Sequence, residues 1–196
     1  GNETAVISIS SVSGADAAES GSQSVTITIT ENESSPTITL ATSATSIAEN
    51  AGTSLTLTAT SSVAADEDIT VTIGTGGGGT EGTDYSTISD ITISAGATTG
   101  TVSFTPTDDN VYEGNESPVV SITGVSGADA AEDGTQSVTI TITENESSPT
   151  ITLTTSATSI AENAGSSLTL TATSSIVADE DITISFSTSG TGTEGT

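Results

Sequence analysis

Along Ser54–Thr60 (SLTLTAT) and again along Val138–Thr143 (VTITIT), apolar residues take every second position and Thr or Ser fill the positions between. Successive strand side chains point to opposite faces. This period therefore sets Leu55, Leu57 and Ala59 on one face, and Val138, Ile140 and Ile142 on another, each backed by hydroxyls. The same alternation, interrupted by Gly or acidic clusters, predicts strands over Thr37–Leu40 with Ser46–Ala48, Ser54–Thr60, Ile69–Ile73, Ile88–Ser94, Thr101–Thr105, Val119–Thr123 and Ser137–Thr143. Helical spacing is not sustained over ten residues anywhere. The expected fold class is all-β, a sandwich of about seven strands in two packed antiparallel sheets. Ile91, Val102, Phe104 and Ile122 are expected in its core, and Tyr85 and Tyr112 are expected to cap it with their hydroxyls in water.

The pattern recurs. ENESSPTITLATSATSIAEN from Glu31 returns as ENESSPTITLTTSATSIAEN from Glu144, and residues 1–83 align without a gap to residues 114–196 with 66 identities in 83 positions. A period of 113 residues is too long for a solenoid coil and suits a self-contained sandwich. Pro36 and Pro149, each after a charged run, set the phase. On that phase 1–35 is the end of one repeat, 36–148 a complete one and 149–196 the start of a third, so the expected architecture is tandem sandwiches in a linear array.

Charge sharpens the picture. Asp and Glu number 26, while Lys, Arg and His are absent. DDNVYEGNES puts Asp108, Asp109, Glu113 and Glu116 within ten residues and leaves no side-chain cation to neutralise them. Crowded carboxylates spread into water, hold their protons or share a cation, and hard oxygen donors of this kind suit calcium better than magnesium, which demands stricter octahedral geometry. An acidic loop that only solubilises a Thr-rich surface is the competing reading, and the lack of any Lys or Arg counts against it. Nucleic acid and anionic lipid are excluded as partners because both need basic residues, and no apolar run reaches the length of a membrane span.

Other segments carry less. DED at Asp66–Asp68, repeated at Asp179–Asp181, reads as a solvated turn, and GTGGGGTEGT from Gly74 as a flexible loop, since no helix or Lys follows to make a phosphate cradle. The N-x-Ser/Thr sites at Asn2, Asn32, Asn115 and Asn145 lie inside acidic loops and read as by-products of them. Catalysis lacks His, Cys, Lys and Arg, and a glycosidase-like carboxylate pair would need aromatic platforms that a chain with two Tyr and two Phe does not offer. The expectation is no enzyme.

In order, the repeat carries IAENAG from Ile47, then GTEGTDYSTISDITISAGATTGTVSFTPTDDNVYEGNES, then a last strand ending TITENE. In this order and content it resembles the Calx-β domain over essentially all of 36–148. The resemblance implies a seven-stranded sandwich with a calcium site at the end reached by the last strand. Its ligand positions fall on Glu49, Asp84, Asp108, Asp109, Glu113, Glu116, Glu144 and Glu146. The self-alignment adds Glu31 and Glu33 at the junction one repeat earlier, together with Glu3 and Glu162.

The functional expectation is a calcium-stabilised structural repeat of a giant secreted surface protein of bacterial type, an adhesin, stalk or filament that carries a tip away from the cell. Near-identity of copies suits a duplicated spacer. Extracellular modules bind calcium at roughly 0.1–1 mM, which favours a location outside the cell. The expected partners are neighbouring repeats of the chain, with lateral association into a fibre or sheath also open. A calcium-sensing switch and a repeated glycan- or protein-binding adhesion module are the alternatives.

Overall fold

The structure, a computed structural model, describes residues 2–192. Its regular elements are strands, as the alternation predicts, and among the described residues no helix is long and apolar enough to cross a membrane. The last four positions of the self-alignment, 193–196, lie outside the described residues.

Residues 37–143 form a sandwich. One sheet has the order β12 (Ser137–Thr139), β10 (Pro118–Ser126), β6 (Ile69–Gly77), β7 (Ile91–Ile93), antiparallel throughout. The other runs β11 (Ala131–Glu132), β3 (Thr37–Thr42), β5 (Leu55–Ser61), β8 (Thr99–Phe104), with β11 parallel to β3 and the rest antiparallel. A third pair, β4 (Ser46–Ala48) with β13 (Thr141–Thr143), is parallel. The expected purely antiparallel pairing therefore gives way at the edges.

Alternation fixes the core. Ile69, Val71, Ile91, Ile93, Val120 and Ile122 from the first sheet pack into one cluster with Ile38, Leu40, Leu55, Leu57, Ala59 and Phe104 from the second. Val102 packs against that cluster while only half-buried. Tyr85 departs from its expected capping role. It is 1% exposed and stacks on Phe104 with ring centroids 4.9 Å apart, because its chain segment is clamped to the strand leaving β8 by Ser86 N–H to Thr105 O at 2.9 Å and Thr107 N–H to Asp84 O at 2.9 Å. Tyr112 lies half-buried in the two-residue strand β9 (Val111–Tyr112).

Three further expectations are revised. The strand predicted over Ser137–Thr143 is interrupted at Ile140, opposite Pro118, which has no N–H to give; its register beside β10 continues to Ile142 with Glu116, and from Thr141 it also takes β4 as a parallel partner on its other edge. Ile140 N–H donates to Pro118 O at 2.9 Å, Thr141 N–H to Thr45 O at 2.9 Å and Ile142 N–H to Glu116 O at 3.0 Å, so successive donors serve the two neighbours in turn. The strand predicted over Ile88–Ser94 shortens to Ile91–Ile93, since Glu81 Oε1 takes the Ile88 N–H at 2.7 Å and Asp90 Oδ1 takes the Ile73 N–H at 3.0 Å in place of ladder bonds. The Gly-rich segment from Gly74 is strand through Gly77, not flexible loop. A Cβ on Gly74 would meet Thr123 Cγ2 at 2.5 Å, and one on Gly77, which has φ +82°, would meet Ser117 O at 2.4 Å. Glycine is needed there for close strand approach.

The flanking segments form hairpins without a facing sheet: β1 (Glu3–Ser8) with β2 (Ser24–Ile29), and β14 (Ile151–Thr155) with β15 (Leu170–Ser174). The consequence is visible by alignment. Ile7 is 60% exposed, whereas Val120, 113 positions on, is fully buried. The same pairing register thus leaves its apolar residues exposed where no second sheet lies over them. A last short strand, β16 (Val177–Ala178), pairs in parallel with β9.

Truncating Phe104 to Ala should cost about 3–5 kcal/mol, since it removes a fully buried ring and the surface on which Tyr85 stacks. Urea unfolding of the full chain followed by circular dichroism reads this as a lowered midpoint at unchanged slope. A loss below about 1 kcal/mol would show that the two rings do not anchor the core.

Candidate metal centre

The acidic end is built by backbone pairing. Because β4 and β13 run parallel, Ala48 lies beside Thr143, and the next residue of each strand is a glutamate. Glu49 N–H donates to Thr143 O at 3.0 Å, so Glu49 and Glu144 leave the pair side by side. A further constraint comes from the antiparallel bridge of Glu116 with Ile142, in which each N–H donates to the other's carbonyl, at 3.1 and 3.0 Å. The Thr80–Asp84 turn, closed by Thr80 N–H to Asp84 Oδ2 at 2.5 Å, supplies the third wall.

Two groups of carboxylates result. Glu49, Glu144 and Glu146 each bring an oxygen within 4.8 Å of the others, and so do Asp84, Glu113 and Glu116. Glu49 and Asp84 are buried, 5% and 9% exposed, in a chain that supplies no Lys, Arg or His. The groups are linked through Glu144, whose Oε2 accepts the N–H groups of Glu113 at 2.6 Å and Gly114 at 2.8 Å and whose Oε1 accepts those of Asn145 and Glu146 at 2.9 and 3.0 Å. Gly79 packs against the Glu116 carboxylate, where a Cβ would come within 3.0 Å of Oε2.

Electrostatics divides the glutamates into two kinds. Burial, reinforced by neighbouring carboxylates, pushes Glu49, Glu113 and Glu116 up to about 7 from an ordinary 4.5. Burial acts the same way on Glu144 but is outweighed by the N–H groups of Glu146, Glu113 and Gly114 and by a hydrogen bond shared with Glu146, which together hold it at about 2. Glu146 is raised, first by that shared bond and then by burial. One oxygen, Glu146 Oε2, is buried with no hydrogen-bond partner. An all-carboxylate donor set with an unsatisfied buried oxygen is chemically matched to a hard divalent cation, which takes six to eight oxygens when it is calcium.

The sequence-derived candidates distribute as follows. Glu49, Glu144 and Glu146 meet in one group, and Asp84, Glu113 and Glu116 in the other. Asp108 and Asp109 are exposed beside them; Asp109 N–H donates to Glu49 Oε1 at 3.3 Å, and the charges of Asp109 and Asp108 act on Glu113 and Glu146 respectively. Glu31 and Glu33 are exposed neighbours that reproduce the Glu144–Glu146 turn, with Asn32 and Glu33 N–H groups donating to Glu31 Oε1 at 3.0 and 3.3 Å. Glu3 is exposed on β1, and Glu162 is exposed in the third segment; neither joins a group of three among the described residues.

Some contributors escaped sequence reasoning. Asn115 Oδ1 accepts the Glu144 N–H at 3.0 Å, and Asn2 Oδ1 accepts the Glu31 N–H at 2.7 Å, so the repeated Asn-Glu dipeptide orients the acidic turn. The recurrence of Asn at both positions was the available signal. DED is also more than a solvated turn, since Asp68 Oδ1 takes the Ala95 N–H at 2.7 Å and Glu67 Oε2 the Ala128 N–H at 3.4 Å.

No family model and no curated protein matches the chain. Among solved structures it is similar to the apo-form Calx CBD1 domain, at 17% identity over 56% of this chain and 99% of that one, with a TM-score of 0.47. It is also similar to CBD12 from CALX1.2, at 18% identity over 50% of this chain and 40% of that one, with a TM-score of 0.44.

Without metal, stability should fall as pH rises from about 4.5 to about 7. Over that window the folded state still holds protons on Glu49, Glu113 and Glu116 that the unfolded chain has released. Glu144 acts oppositely: its contribution is present above about 4.5 and lost as pH falls towards about 2. Melting of the chelator-treated chain should therefore peak near pH 4.5 and drop by at least about 5 °C by pH 8. A flat profile would mean that these glutamates are ordinarily solvated.

Proposed function

We propose that the chain is a calcium-stabilised structural repeat of a large secreted cell-surface protein, an adhesin, stalk or filament that spaces a functional tip from the cell. One observation carries the metal half of this reading: parallel pairing of β4 and β13 sets Glu49 beside Glu144 and Glu146, with Glu146 Oε2 buried and unpartnered, in a sequence without a basic side chain. Glu49, Glu144 and Glu146 would hold one ion and Asp84, Glu113 and Glu116 a second, with Asp108 and Asp109 at the rim. The resemblance of IAENAG, TDY, DDNVYEGNE and TITENE to Calx-β landmarks points the same way.

The structural half rests on repetition. Copies with 66 identities in 83 positions suit a spacer, in which each unit does the same mechanical work. Glu144 and Glu146 stand only a few residues before Pro149, so an ion held there would stiffen the passage to the next unit. The proposed partners are adjoining repeats and, in a fibre, neighbouring chains, and the proposed location is extracellular, where calcium is abundant. The reading is non-enzymatic, as the absence of His, Cys, Lys and Arg supports.

Calcium titration by calorimetry, with small-angle scattering in calcium and in chelator, tests this. Saturable binding at roughly 0.1–1 mM, weaker magnesium binding and a stiffer, more extended particle in calcium are expected. Glu49→Gln should weaken binding by about tenfold or more while the neutral isostere keeps the fold. Glu162→Gln, at an exposed position, should leave affinity within about twofold. A sharp bend in calcium would favour the sensing switch, and no heat up to about 10 mM would leave a passive acidic spacer.

A further inference from the structure

The parallel bridge between β16 and β9 shows how one repeat meets the next. Val177 pairs with Val111 and Ala178 with Tyr112, Asp179 N–H donates to Tyr112 O at 3.3 Å, and Ser148 Oγ donates to the Tyr112 hydroxyl at 3.2 Å. The self-alignment carries Val177, Ala178, Asp179 and Ser148 onto Ala64, Ala65, Asp66 and Ser35.

The equivalence is conformational as well. Ser174 Oγ donates to Ile176 O at 2.7 Å as Ser61 Oγ does to Val63 O at 2.7 Å. Thr150 N–H donates to Ser175 Oγ at 2.9 Å as Thr37 N–H does to Ser62 Oγ at 2.9 Å. Ala65 and Ala178 are both half-buried, beside exposed Ala64 and Val177. The edge that engages Val111–Tyr112 is thus already formed in the complete repeat.

There it borders a cleft. A space of about 1200 Å³ lies between Glu31, Glu33 and Ser35 on one side and Ala64, Ala65 and Ala128 on the other. At the other junction the corresponding acidic turn, Glu144 and Glu146, and the corresponding edge, Val177 and Ala178, flank the β9 strand.

We propose that this cleft is a docking site for the Val111–Tyr112 strand of a second copy of the repeat, which pairs in parallel with Ala64–Ala65 and sets its tyrosine hydroxyl against Ser35. The occupant is specified by the interface that the equivalent residues already make. Docking deepens the spacer reading, because it makes the joint a fixed register of main-chain bonds, yet it needs no ion to define its geometry. It also brings an Asp66 carboxylate towards the second copy's acidic loop, as Asp179 lies close enough for its charge to act on Glu113.

Placing a copy of residues 36–113 ahead of the full chain supplies the second copy, since residues 1–35 align with 114–148. The chain has no Cys, so engineered pairs report directly. Val111→Cys in the added copy with Ala64→Cys in the original chain should form a disulfide under mild oxidation, because paired strands put Cα atoms within bonding range. Val111→Cys with Val177→Cys in the unextended chain is the reference. Joining of at least about half as much Ala64 pair as reference pair supports docking. A reference that joins while the Ala64 pair stays reduced overturns it, and so does a reference that fails, since the template interface would then be wrong. The oxidation is run in calcium and in chelator. A bond equally complete in both upholds docking and counts only against the ion clamp, which separates the two readings.

Discussion

Three residues of parallel pairing, Ser46–Ala48 with Thr141–Thr143, organise the acidic end of the molecule. In an antiparallel pair, residues that follow two strands leave at opposite ends; in a parallel pair they leave together. Glu49 and Glu144 are therefore forced into the same space by main-chain geometry, whatever their charges prefer. The final strand reaches this pairing while its other edge stays on the β10 line, since Ile142 and Glu116 exchange both N–H bonds in the register of β12 with β10. That ladder carries the strand end past Glu116, so that Glu144 reaches the Glu113–Gly114 loop that it fastens.

Such crowding is sustained by two distinct responses to charge. Backbone N–H groups are the positive partial charges that the fold supplies here, and Glu144 collects four of them from Glu113, Gly114, Asn145 and Glu146. It stays ionised. Glu49, Glu113 and Glu116 are more deprived of water than helped by donors, and they respond by holding protons to about pH 7. A bound cation would replace those protons, so metal and proton compete for the same oxygens.

The sheets were legible because alternation is a local signal: Leu55, Leu57 and Ala59 could be placed on one face from spacing alone. What spacing does not encode is a second partner joining part-way along one strand. Ser137–Thr143 alternates without interruption, and only the bond from Thr141 to Thr45 reveals that β4 joins its outer edge. Gly74 misled for a related reason, since a glycine chosen for strand approach looks in sequence like one chosen for freedom. The acidic residues were recognisable by type and density. Their division into two groups, and the outlying place of Glu3 and Glu162, depends on contacts from β4, β13 and the Thr80–Asp84 turn that converge from distant parts of the chain. Tyr85 follows the acidic Asp84 in sequence, but its bridge with Pro106 sends the ring into the core while Asp84 closes the Thr80 turn in the acidic group.

At the joint, the determinants of geometry and of strength separate. The β16–β9 register is held by main-chain hydrogen bonds and the Tyr112–Ser148 contact, none of which changes with ionic conditions. Carboxylates from both sides gather around the same point, and their mutual repulsion opposes closure to a degree set by salt, protons and divalent ions. A spacer built in this way would have one preferred inter-repeat orientation with an adjustable stiffness about it. The acidic residues around that pairing are therefore placed to tune how firmly it closes.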